Sequence, residues 1–226
     1  MGKLFVIEGT DGSGKQTQFN LLKEHFEKEK IEFKTVSFPN YDSPSSSLVK
    51  MYLAGEFGKN AKDVNAYIAS TFYAVDRYAT FQKTYKEFYD NGGIIIADRY
   101  TTSNMIHQAG KISNKEERKN FLEWLYNFEF TLYGLPIPNK VFFLNMPPEY
   151  SKILMKNRKN KITQSEEKDI HEIDSKHLLD SYNAACELAT EYNWNEIICV
   201  KNNQIRTIED IHNEIYELVY KEIHKR

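Results

Sequence analysis

The chain has 226 residues, of which 41% are hydrophobic, and its formal net charge is −2. This length fits one domain with a buried core, so the composition excludes a disordered chain. A nearly neutral chain also lacks the cationic face that a nucleic-acid polymer requires, so we expect no such partner.

The N-terminus carries no long apolar segment, because the run 4–7 is followed at once by a glutamate and a glycine. Such a run is too short for a signal peptide or a membrane span. The two cysteines, Cys186 and Cys199, have no metal-ligand or redox spacing, which is typical of reduced thiols. We therefore predict a cytoplasmic protein with no membrane partner.

Short apolar runs alternate with longer amphipathic segments along the chain. Several runs are continuously apolar, which is typical of strands that are buried on both faces of a sheet. In chain order the runs are 4–7, 33–38, 94–97, 141–144 and 197–200. Strands separated by helices predict right-handed βαβ units. We expect a three-layer α/β/α fold, with a five-stranded parallel sheet and helices on both of its faces.

Seven further segments have helical character. They are 15–28, 45–54, 63–89, 115–132, 148–156, 174–191 and 208–224. In the last segment apolar residues recur on one stripe, and Thr207 is its candidate N-cap. We find neither an internal repeat nor a linker, so we predict one domain over residues 1–226.

The segment 156–169 departs from this alternation, because it is charged, polar and nearly free of apolar periodicity. Its composition favours a solvated surface loop slightly. A mobile lid over an active site has the same composition, so both interpretations stay open on composition alone.

Gly9, Gly14 and Lys15 form the pattern G-x-x-x-x-G-K between a predicted strand and a predicted helix, which is the context of a P-loop. Glycines let the backbone turn its N–H groups towards a phosphate, and the helix start adds partial positive charge. We predict a nucleoside triphosphate site; a glycine-rich turn without a ligand is the alternative. The predicted residues are Gly9, Thr10, Asp11, Gly12, Ser13, Gly14, Lys15, Gln16 and Thr17.

The metal ligands of this P-loop are unusual. Most P-loops place Ser or Thr directly after the lysine to bind Mg²⁺, whereas this chain has Gln16 there. Asp98 follows the apolar run 94–97, and ligands of open α/β sheets bind at the carboxyl ends of strands. We predict that Asp98 is the acid facing Mg²⁺ and that Gln16 is a weak second ligand. A local Asp98–Arg99 ion pair that caps the strand is the alternative.

Several separated motifs carry a resemblance to a known family. They are residues 7–18, Phe38-Pro39, 72–77, Asp98-Arg99-Tyr100 with Ser103-Asn104, 134–138 and 169–172. Together they resemble the thymidylate kinase family of nucleoside monophosphate kinases over nearly the whole chain. The resemblance implies a P-loop fold and ATP-dependent phosphorylation of dTMP to dTDP, which feeds dTTP synthesis. It also implies a homodimer, which family members often form.

The resemblance further implies roles in an acceptor site. Asp11 would contact the 3′-hydroxyl of the acceptor sugar, and Arg99 would bind the acceptor phosphate. Tyr73 would stack on the base, although without the resemblance a core aromatic is the better interpretation. Arg77, at i+4 from Tyr73, would bind the base edge or bridge to the phosphate. The implied substrate-binding residues are Asp11, Phe38, Tyr41, Tyr73, Arg77, Arg99, Ser103, Asn104, His107 and Glu172.

The resemblance also implies a role for the polar segment 156–169. Gly12 lies where some family members carry a P-loop arginine, which implies that a lid at about 156–172 supplies the cationic clamp. Arg158 is the first choice among its cations, because its planar fork suits phosphate oxygens. The expected catalytic residues are Lys15, Asp11, Arg99 and Arg158.

Three further positions depart from the family pattern. Tyr41 stands where an arginine usually binds the acceptor phosphate, and His107 replaces an aromatic residue that discourages a 2′-hydroxyl. Asn139 replaces an acid after the Gly-Leu-Pro-x-Pro motif. These departures indicate a divergent branch and leave open a kinase for another deoxynucleoside monophosphate. A non-catalytic P-loop switch is a second alternative, but the guanine-reading Asn-Lys-x-Asp motif is incomplete at Asn139 and at Asn160.

Overall fold

The computed structural model describes residues 1–60, 62–155 and 175–225. Its main sheet consists of β1 (Lys3–Glu8), β2 (Phe33–Ser37), β3 (Ile94–Asp98), β4 (Lys140–Asn145) and β5 (Asn195–Ile198). The strand order is β2-β3-β1-β4-β5, and all neighbours pair in parallel. The expected five-stranded parallel sheet is therefore confirmed, and β1, which leads into the P-loop, lies at its centre.

The helices are connected to these strands as the βαβ pattern requires. They are α1 (Lys15–Glu29), α2 (Ser47–Leu53), α3 (Ala66–Thr80), α4 (Lys86–Asp90), α5 (Thr101–Ala109), α6 (Lys115–Tyr126), α7 (Pro148–Met155), α8 (Ser175–Glu191) and α9 (Ile208–Ile223). The hydroxyl of Thr207 accepts a hydrogen bond from the N–H of Asp210 at 3.1 Å, so the predicted N-cap of α9 is confirmed.

Alternate residues of the strands point to two hydrophobic layers. On one face of the sheet, Phe5 and Ile7 of β1 belong to the same buried cluster as residues of α1 and α9. On the other face, Leu4 and Val6 pack with the aromatic side chains of segment 81–89. A third buried cluster joins α5, α6 and α8. Helices therefore cover both faces, as expected for three layers.

The structure differs from the sequence prediction in three elements. The predicted helix 63–89 begins at Ala66, because Asn65 caps it, and it passes through a π-helical segment at Phe81–Tyr85. Helix α5 was not predicted, because its nine residues are largely polar yet almost all buried and so show no amphipathic stripe. The last strand ends at Ile198, and an antiparallel pair follows, formed by β6 (Val200–Lys201) and β7 (Gln204–Ile205).

Two further features are the hydropathy of the helices and the state of the cysteines. No described helix combines the length and the hydropathy that crossing a membrane requires. Both cysteines, Cys186 and Cys199, are free thiols, as their spacing predicted.

Candidate active site

The P-loop runs from the end of β1 to the start of α1. Gly14 has φ 91° at the N-cap of α1, a left-handed conformation that glycine adopts without a steric penalty. The ammonium of Lys15 donates hydrogen bonds to the carbonyl oxygens of Gly9 at 2.7 Å and Thr10 at 2.9 Å. The lysine therefore lies folded across the loop that it would use to reach phosphates.

Lys15 is buried among several charged side chains. Its Nζ lies 3.9 Å from Oδ1 of Asp11. Burial, followed by the Arg99 guanidinium, lowers the pKa of Lys15 to about 7, against the opposing effect of the carboxylates of Asp11, Glu8 and Asp98. A bound polyphosphate would favour the charged form of Lys15, because opposite charges raise the pKa of an amine.

Arg99 connects the P-loop to the turn after β3. Its backbone has φ 67°, and its N–H donates to the carbonyl of Ile7 at 3.1 Å. The side chain donates to Oδ1 of Asp11 at 2.5 Å and to Oγ of Ser103 at 3.3 Å. The carboxylates of Asp11 and Glu8 raise the pKa of Arg99 and outweigh the opposing effect of burial, so the guanidinium stays charged. The structure thus brings Asp11, Lys15 and Arg99 together, and their catalytic role stays a prediction.

Glu8 anchors the same turn, although the sequence analysis assigned it no role. Its fully buried carboxylate accepts hydrogen bonds from the Gly9 N–H at 2.9 Å and from the hydroxyls of Thr102 at 2.6 Å and Ser103 at 2.7 Å. The signal that could have revealed it is an acid at the carboxyl end of an apolar strand. Glu8 thereby holds the start of α5 against the P-loop.

Asp98 has a free carboxylate oxygen in this cluster. Its Oδ2 accepts a long hydrogen bond from Ser37 Oγ at 3.4 Å, whereas its buried Oδ1 has no hydrogen-bond partner among the described residues. A buried carboxylate oxygen without a donor suits a metal ion or a metal-bound water. Gln16 lies exposed on the first turn of α1, where its Nε2 donates to Asn20 at 3.2 Å.

The described residues suit Mg²⁺, which does not need a complete set of protein ligands. The described part of the chain contains no group of three or more His, Cys, Asp or Glu that would hold a metal. Mg²⁺ does not need such a group, because it usually takes one or two protein carboxylates and completes its shell with water and substrate phosphates. Asp98, whose Oδ1 has no hydrogen-bond partner among the described residues, is a carboxylate of that kind.

Arg77 is buried between α3 and the π-helical segment Asn127–Leu132. Its Nε and one terminal nitrogen donate to the two carboxylate oxygens of Glu129 at 2.6 and 2.5 Å. Burial alone would lower the pKa of Arg77, but the Glu129 carboxylate outweighs burial and raises it. Glu129 was missed in the sequence, where its signal is a lone acid between Phe128 and Phe130. The predicted role of Arg77 at the base edge stays a prediction.

The structure also shows the surroundings of three more residues that were predicted for the acceptor site. Tyr73 is half-buried on α3, and its ring meets Tyr52 edge-on with centroids 6.3 Å apart. Asn104 is buried on α5, and its Nδ2 donates to Glu129. Phe38 is buried against Tyr100 with ring centroids 5.9 Å apart, so it supports the site from the core.

The loop that carries Tyr41 is held by Asp76. The Asp76 carboxylate accepts hydrogen bonds from the Asn40 N–H at 2.7 Å and from Ser45 Oγ at 2.6 Å. Asp76 therefore anchors the loop 40–45 to α3. The pKa of Asp76 is nevertheless raised, mainly by burial.

His107 lies on α5 beside Arg99, with Nε2 3.2 Å from a terminal guanidinium nitrogen. An arginine can only donate, so His107 Nε2 accepts in this contact and the ring carries its proton on Nδ1. The remaining predicted residues, Arg158 and Glu172, and the predicted lid lie outside the described residues.

Helix α7 packs against the P-loop at Gly12. A Cβ on Gly12 would lie 2.7 Å from Met155 Cγ and 2.7 Å from the Ser151 carbonyl oxygen. The arginine that some P-loops carry at this position has no room here, which gives a physical reason for the glycine. A cavity of about 330 Å³ opens beside it, and it is lined by Thr10, Asp11, Pro148, Ser151, Lys152, Leu178 and Leu179.

Comparison with known proteins places the chain in a family. The sequence profile described as thymidylate kinase matches residues 7–215. The chain belongs to the thymidylate kinase family. It is therefore a nucleoside monophosphate kinase that uses ATP as phosphoryl donor, and the alternative of a non-catalytic switch is set aside.

Individual members of the thymidylate kinase family align along almost the full chain. A thymidylate kinase of Plasmodium falciparum is 28% identical over 220 residues, which cover 97% of this chain and 90% of that relative. A probable thymidylate kinase of Thermococcus onnurineus is 30% identical, with 98% of both chains covered. A solved thymidylate kinase structure from Candida albicans superimposes with a TM-score of 0.71 at 20% identity, covering 97% of this chain and 92% of that one, which confirms the fold.

Proposed function

We propose that this protein transfers the γ-phosphoryl group of ATP to dTMP, giving dTDP and ADP for dTTP synthesis. One observation carries the assignment of residues: the Arg99–Asp11 contact at 2.5 Å joins the triphosphate loop to the turn after β3. Two phosphate-bearing substrates that bind on either side of this contact would meet beside Lys15. Phosphoryl transfer depends mainly on such positioning and on nearby cations.

The residues of the cluster would change partners when the substrates bind. Lys15 would exchange the carbonyls of Gly9 and Thr10 for phosphate oxygens of ATP. Arg99 would exchange Asp11 for the acceptor phosphate, which leaves the Asp11 carboxylate to accept a hydrogen bond from the 3′-hydroxyl of the acceptor sugar. Arg158 on the proposed lid at 156–172 would add a cation on the opposite side and Glu172 would close the site.

Mg²⁺ is the proposed cofactor. Asp98, through its unpartnered Oδ1, and Gln16 would hold it. When bound there, Mg²⁺ would neutralise charge on the β- and γ-phosphate oxygens. Asp98 would serve this role without rearrangement, because it is already buried beside Lys15.

A kinase for another deoxynucleoside monophosphate is the second candidate. It is favoured by Tyr41, His107 and Asn139, the positions at which the acceptor side of this chain departs from the family pattern. Both candidates predict the same fold and the same donor site, so they differ only in the acceptor.

A panel of monophosphates separates these candidates. Initial rates are measured with ATP, Mg²⁺ and each of dTMP, dUMP, dCMP, dAMP and dGMP, and kcat/KM is compared across the panel. We expect the highest value for dTMP. A higher kcat/KM for any other acceptor would overturn the dTMP assignment while leaving the kinase assignment intact.

The donor site is tested by Lys15→Ala. Loss of the cation that reaches the transferred phosphate is expected to lower kcat by about a thousandfold or more. The matched control is Lys23→Ala, which removes an exposed lysine from the same helix and should leave kcat unchanged. Near-normal kcat in Lys15→Ala, with ATP still required, would contradict the P-loop assignment.

We also propose that the protein is a homodimer of single-domain chains in the cytoplasm. Helix α3 carries an exposed apolar stripe at Ile68, Val75 and Tyr78, spaced i, i+7 and i+10. These side chains lie on one face of the helix, and a second copy of the chain would cover them with the same stripe. The cytoplasmic location stays a prediction.

A further inference from the structure

One buried acid of α3, Asp76, holds both ends of the loop 40–45. Only 1% of its surface is exposed. Its Oδ2 accepts a hydrogen bond from the Asn40 N–H at 2.7 Å, and its Oδ1 accepts one from Ser45 Oγ at 2.6 Å. A carboxylate is costly to bury, so an acid at this position indicates that the two contacts serve a purpose beyond packing.

The two contacts fix the ends of a tight turn. The Ser43 N–H donates to the Asn40 carbonyl oxygen at 3.0 Å, which places Tyr41 at the second position of this turn. Ser45 Oγ has one hydrogen, and an ionised carboxylate can only accept, so that hydrogen points to Asp76. The 2.7 Å contact between the hydroxyls of Ser43 and Ser45 is therefore donated by Ser43. Asp76 thus holds one end of the turn directly and the other end through Ser45.

The turn carries Tyr41 next to Arg99. Burial lowers the pKa of Arg99, but nearby acidic groups outweigh burial and raise it, and the Tyr41 phenol contributes to this rise after three carboxylates. The ring of Tyr41 packs against the buried cluster that α2, α3 and the segment between them form. The side chain therefore lies close to the guanidinium that would bind the acceptor phosphate.

A phenol at this place needs closer control than a cation does. The attraction between a charged side chain and a phosphate decreases slowly with distance. A neutral hydroxyl contributes only when its hydrogen bond is well aligned and about 2.7 Å long. Tyr41 brings no charge to the site, so its contribution depends on where the turn holds it.

We propose that Asp76 is a positioning residue, which fixes the turn 40–43 so that the Tyr41 hydroxyl donates to the phosphate of the acceptor nucleotide beside Arg99. The inference rests on the proposed function, in which Arg99 binds the acceptor phosphate. It gives Asp76 no contact with either substrate, so the hydrogen bonds of the carboxylate matter more than its charge.

Asparagine separates these two properties of Asp76, because it has the same shape and no charge. Its amide oxygen can accept from the Asn40 N–H, and its amide nitrogen can donate to Ser45 Oγ. The hydrogen of Ser45 would then turn to Ser43. Both ends of the turn would stay attached in Asp76→Asn, whereas Asp76→Ala releases both.

The first test compares these two variants. Steady-state rates are measured with ATP and with the best acceptor of the monophosphate panel, each varied in turn. Asp76→Ala should raise the KM for the acceptor by about fivefold, the effect of one hydrogen bond to a charged group, and leave the KM for ATP within about twofold of wild type. Asp76→Asn should stay within about twofold for both constants. An unchanged acceptor KM in Asp76→Ala, or an equal rise in both variants, would overturn the proposal.

The second test shows whether Asp76 acts through Tyr41. Tyr41→Phe removes the hydroxyl and should raise the acceptor KM by a similar factor. Adding Asp76→Ala to Tyr41→Phe should raise it further by less than about twofold, because the hydroxyl to be positioned is already absent. If the two effects multiply instead, Asp76 stabilises the fold without positioning Tyr41, and the proposal is refuted.

Two further variants keep the comparison decisive. Ser47→Ala removes an exposed hydroxyl that donates to the Pro44 carbonyl oxygen at 2.7 Å, and it should leave both KM values unchanged. A rise as large as that in Asp76→Ala would reveal a general disturbance of the loop and contradict the proposal. Should Asp76→Ala fail to fold, Ser45→Ala cuts one of the two links and keeps the contact with Asn40. The acceptor KM should then rise by about threefold, and an unchanged value would also refute the role of Asp76.

Wild-type protein distinguishes failure of this inference from failure of the proposed function. If the wild type phosphorylates no monophosphate of the panel, the proposed function fails before any variant is compared, and the inference falls with it. If the wild type is active and Arg99→Ala raises the acceptor KM while Asp76→Ala does not, the proposed function stands and only the role of Asp76 is refuted.

Discussion

At the scale of single residues, the backbone of Arg99 is held in the left-handed region with φ 67°. A non-glycine residue pays a conformational cost there, and such strain persists only where the surroundings enforce it. The surroundings are visible: the Arg99 N–H is bound to Ile7, and its side chain is bound to Asp11 and Ser103. The left-handed backbone therefore occurs in a residue whose guanidinium contacts Asp11 of the P-loop.

This geometry leads to a kinetic prediction for Arg99→Ala. Loss of the cation at the acceptor phosphate should raise the KM for the monophosphate by about tenfold or more, while the KM for ATP changes little. Steady-state kinetics with each substrate varied in turn measures both constants. A larger rise in the KM for ATP than in that for the monophosphate would place Arg99 on the donor instead.

A control separates the charge of Arg99 from the position of its guanidinium. Ser103→Ala removes a neighbouring partner of Arg99 and keeps the guanidinium. It should raise the KM for the monophosphate by a smaller factor than Arg99→Ala does. Equal effects would mean that the position of the guanidinium, rather than its charge, dominates binding.

Lys111 provides a prediction about pH. Its ammonium is bound to Tyr52 Oη at 2.8 Å and to the Val64 carbonyl at 3.1 Å, and burial lowers its pKa to about 7. The pKa of an unfolded lysine is about 10.4, so between these values the unfolded chain binds more protons than the folded one. Stability should therefore rise as the pH rises from 7 towards 10, because the folded state no longer has to bury a charge.

Lys111→Met should flatten this pH dependence. The variant has no proton to lose, so its free energy of unfolding should change less between pH 6 and pH 9 than that of the wild type, although Lys15 retains part of the effect. Urea unfolding at several pH values measures it. Lys23→Met, at an exposed position, should keep the wild-type slope, and an equal slope in both variants would refute the prediction.

At the scale of elements, two π-helical segments carry important side chains into the interior. The segment Phe81–Tyr85 places Phe81 and Tyr85 in the core, and the segment Asn127–Leu132 places Glu129 beside Arg77. Inserting one residue into a helix shifts the face that later residues present, and such bulges occur frequently at functional sites. A sequence pattern with a period of 3.6 residues does not register that shift, which is one reason why Glu129 was missed.

The contact between α7 and the P-loop is tested by Gly12→Ala. The new methyl group would overlap Met155 and Ser151, and the residue has φ 78°. We expect a loss of stability of about 1 kcal/mol or more and a lower kcat/KM for ATP, because the loop or α7 must move. Thermal unfolding and steady-state kinetics measure the two effects.

Gly92→Ala is the matched control for that prediction. Gly92 has φ 92° and no neighbouring atom within 4 Å of an added methyl group. The two variants therefore share the backbone strain, while only Gly12→Ala adds a steric contact at the site. If both variants lowered kcat/KM for ATP equally, contact with α7 would not be the cause.

At the scale of the whole molecule, the apolar stripe on α3 predicts the assembly state. Val75 lies at the middle of the stripe and is 41% exposed. Val75→Asp should place a charge in the proposed dimer interface and convert a dimer to a monomer in analytical ultracentrifugation. Ile208→Asp, at an exposed apolar position on the other side of the sheet, should stay dimeric. A monomeric wild type would refute the homodimer.

The sequence alone determined the parts of this protein that depend on local patterns. Continuous apolar runs predicted the parallel strands, because a strand buried on both faces needs apolar residues at every position. Gly9, Gly14 and Lys15 predicted the P-loop, because the backbone of a phosphate loop needs glycine at fixed spacing. The order of strands and helices then placed Asp98 at the same edge of the sheet as the P-loop.

Only the tertiary structure decided which distant side chains meet. The partners of Glu129 come from α3 and α5, between 25 and 52 residues away along the chain. Glu8 meets Thr102 across 94 residues, and Arg99 meets Asp11 across 88. No local pattern encodes such pairs, because they depend on strand order, on a left-handed residue and on a π-helical turn. The phosphate loop was therefore predictable from the sequence, whereas the buried network behind the proposed base site was not.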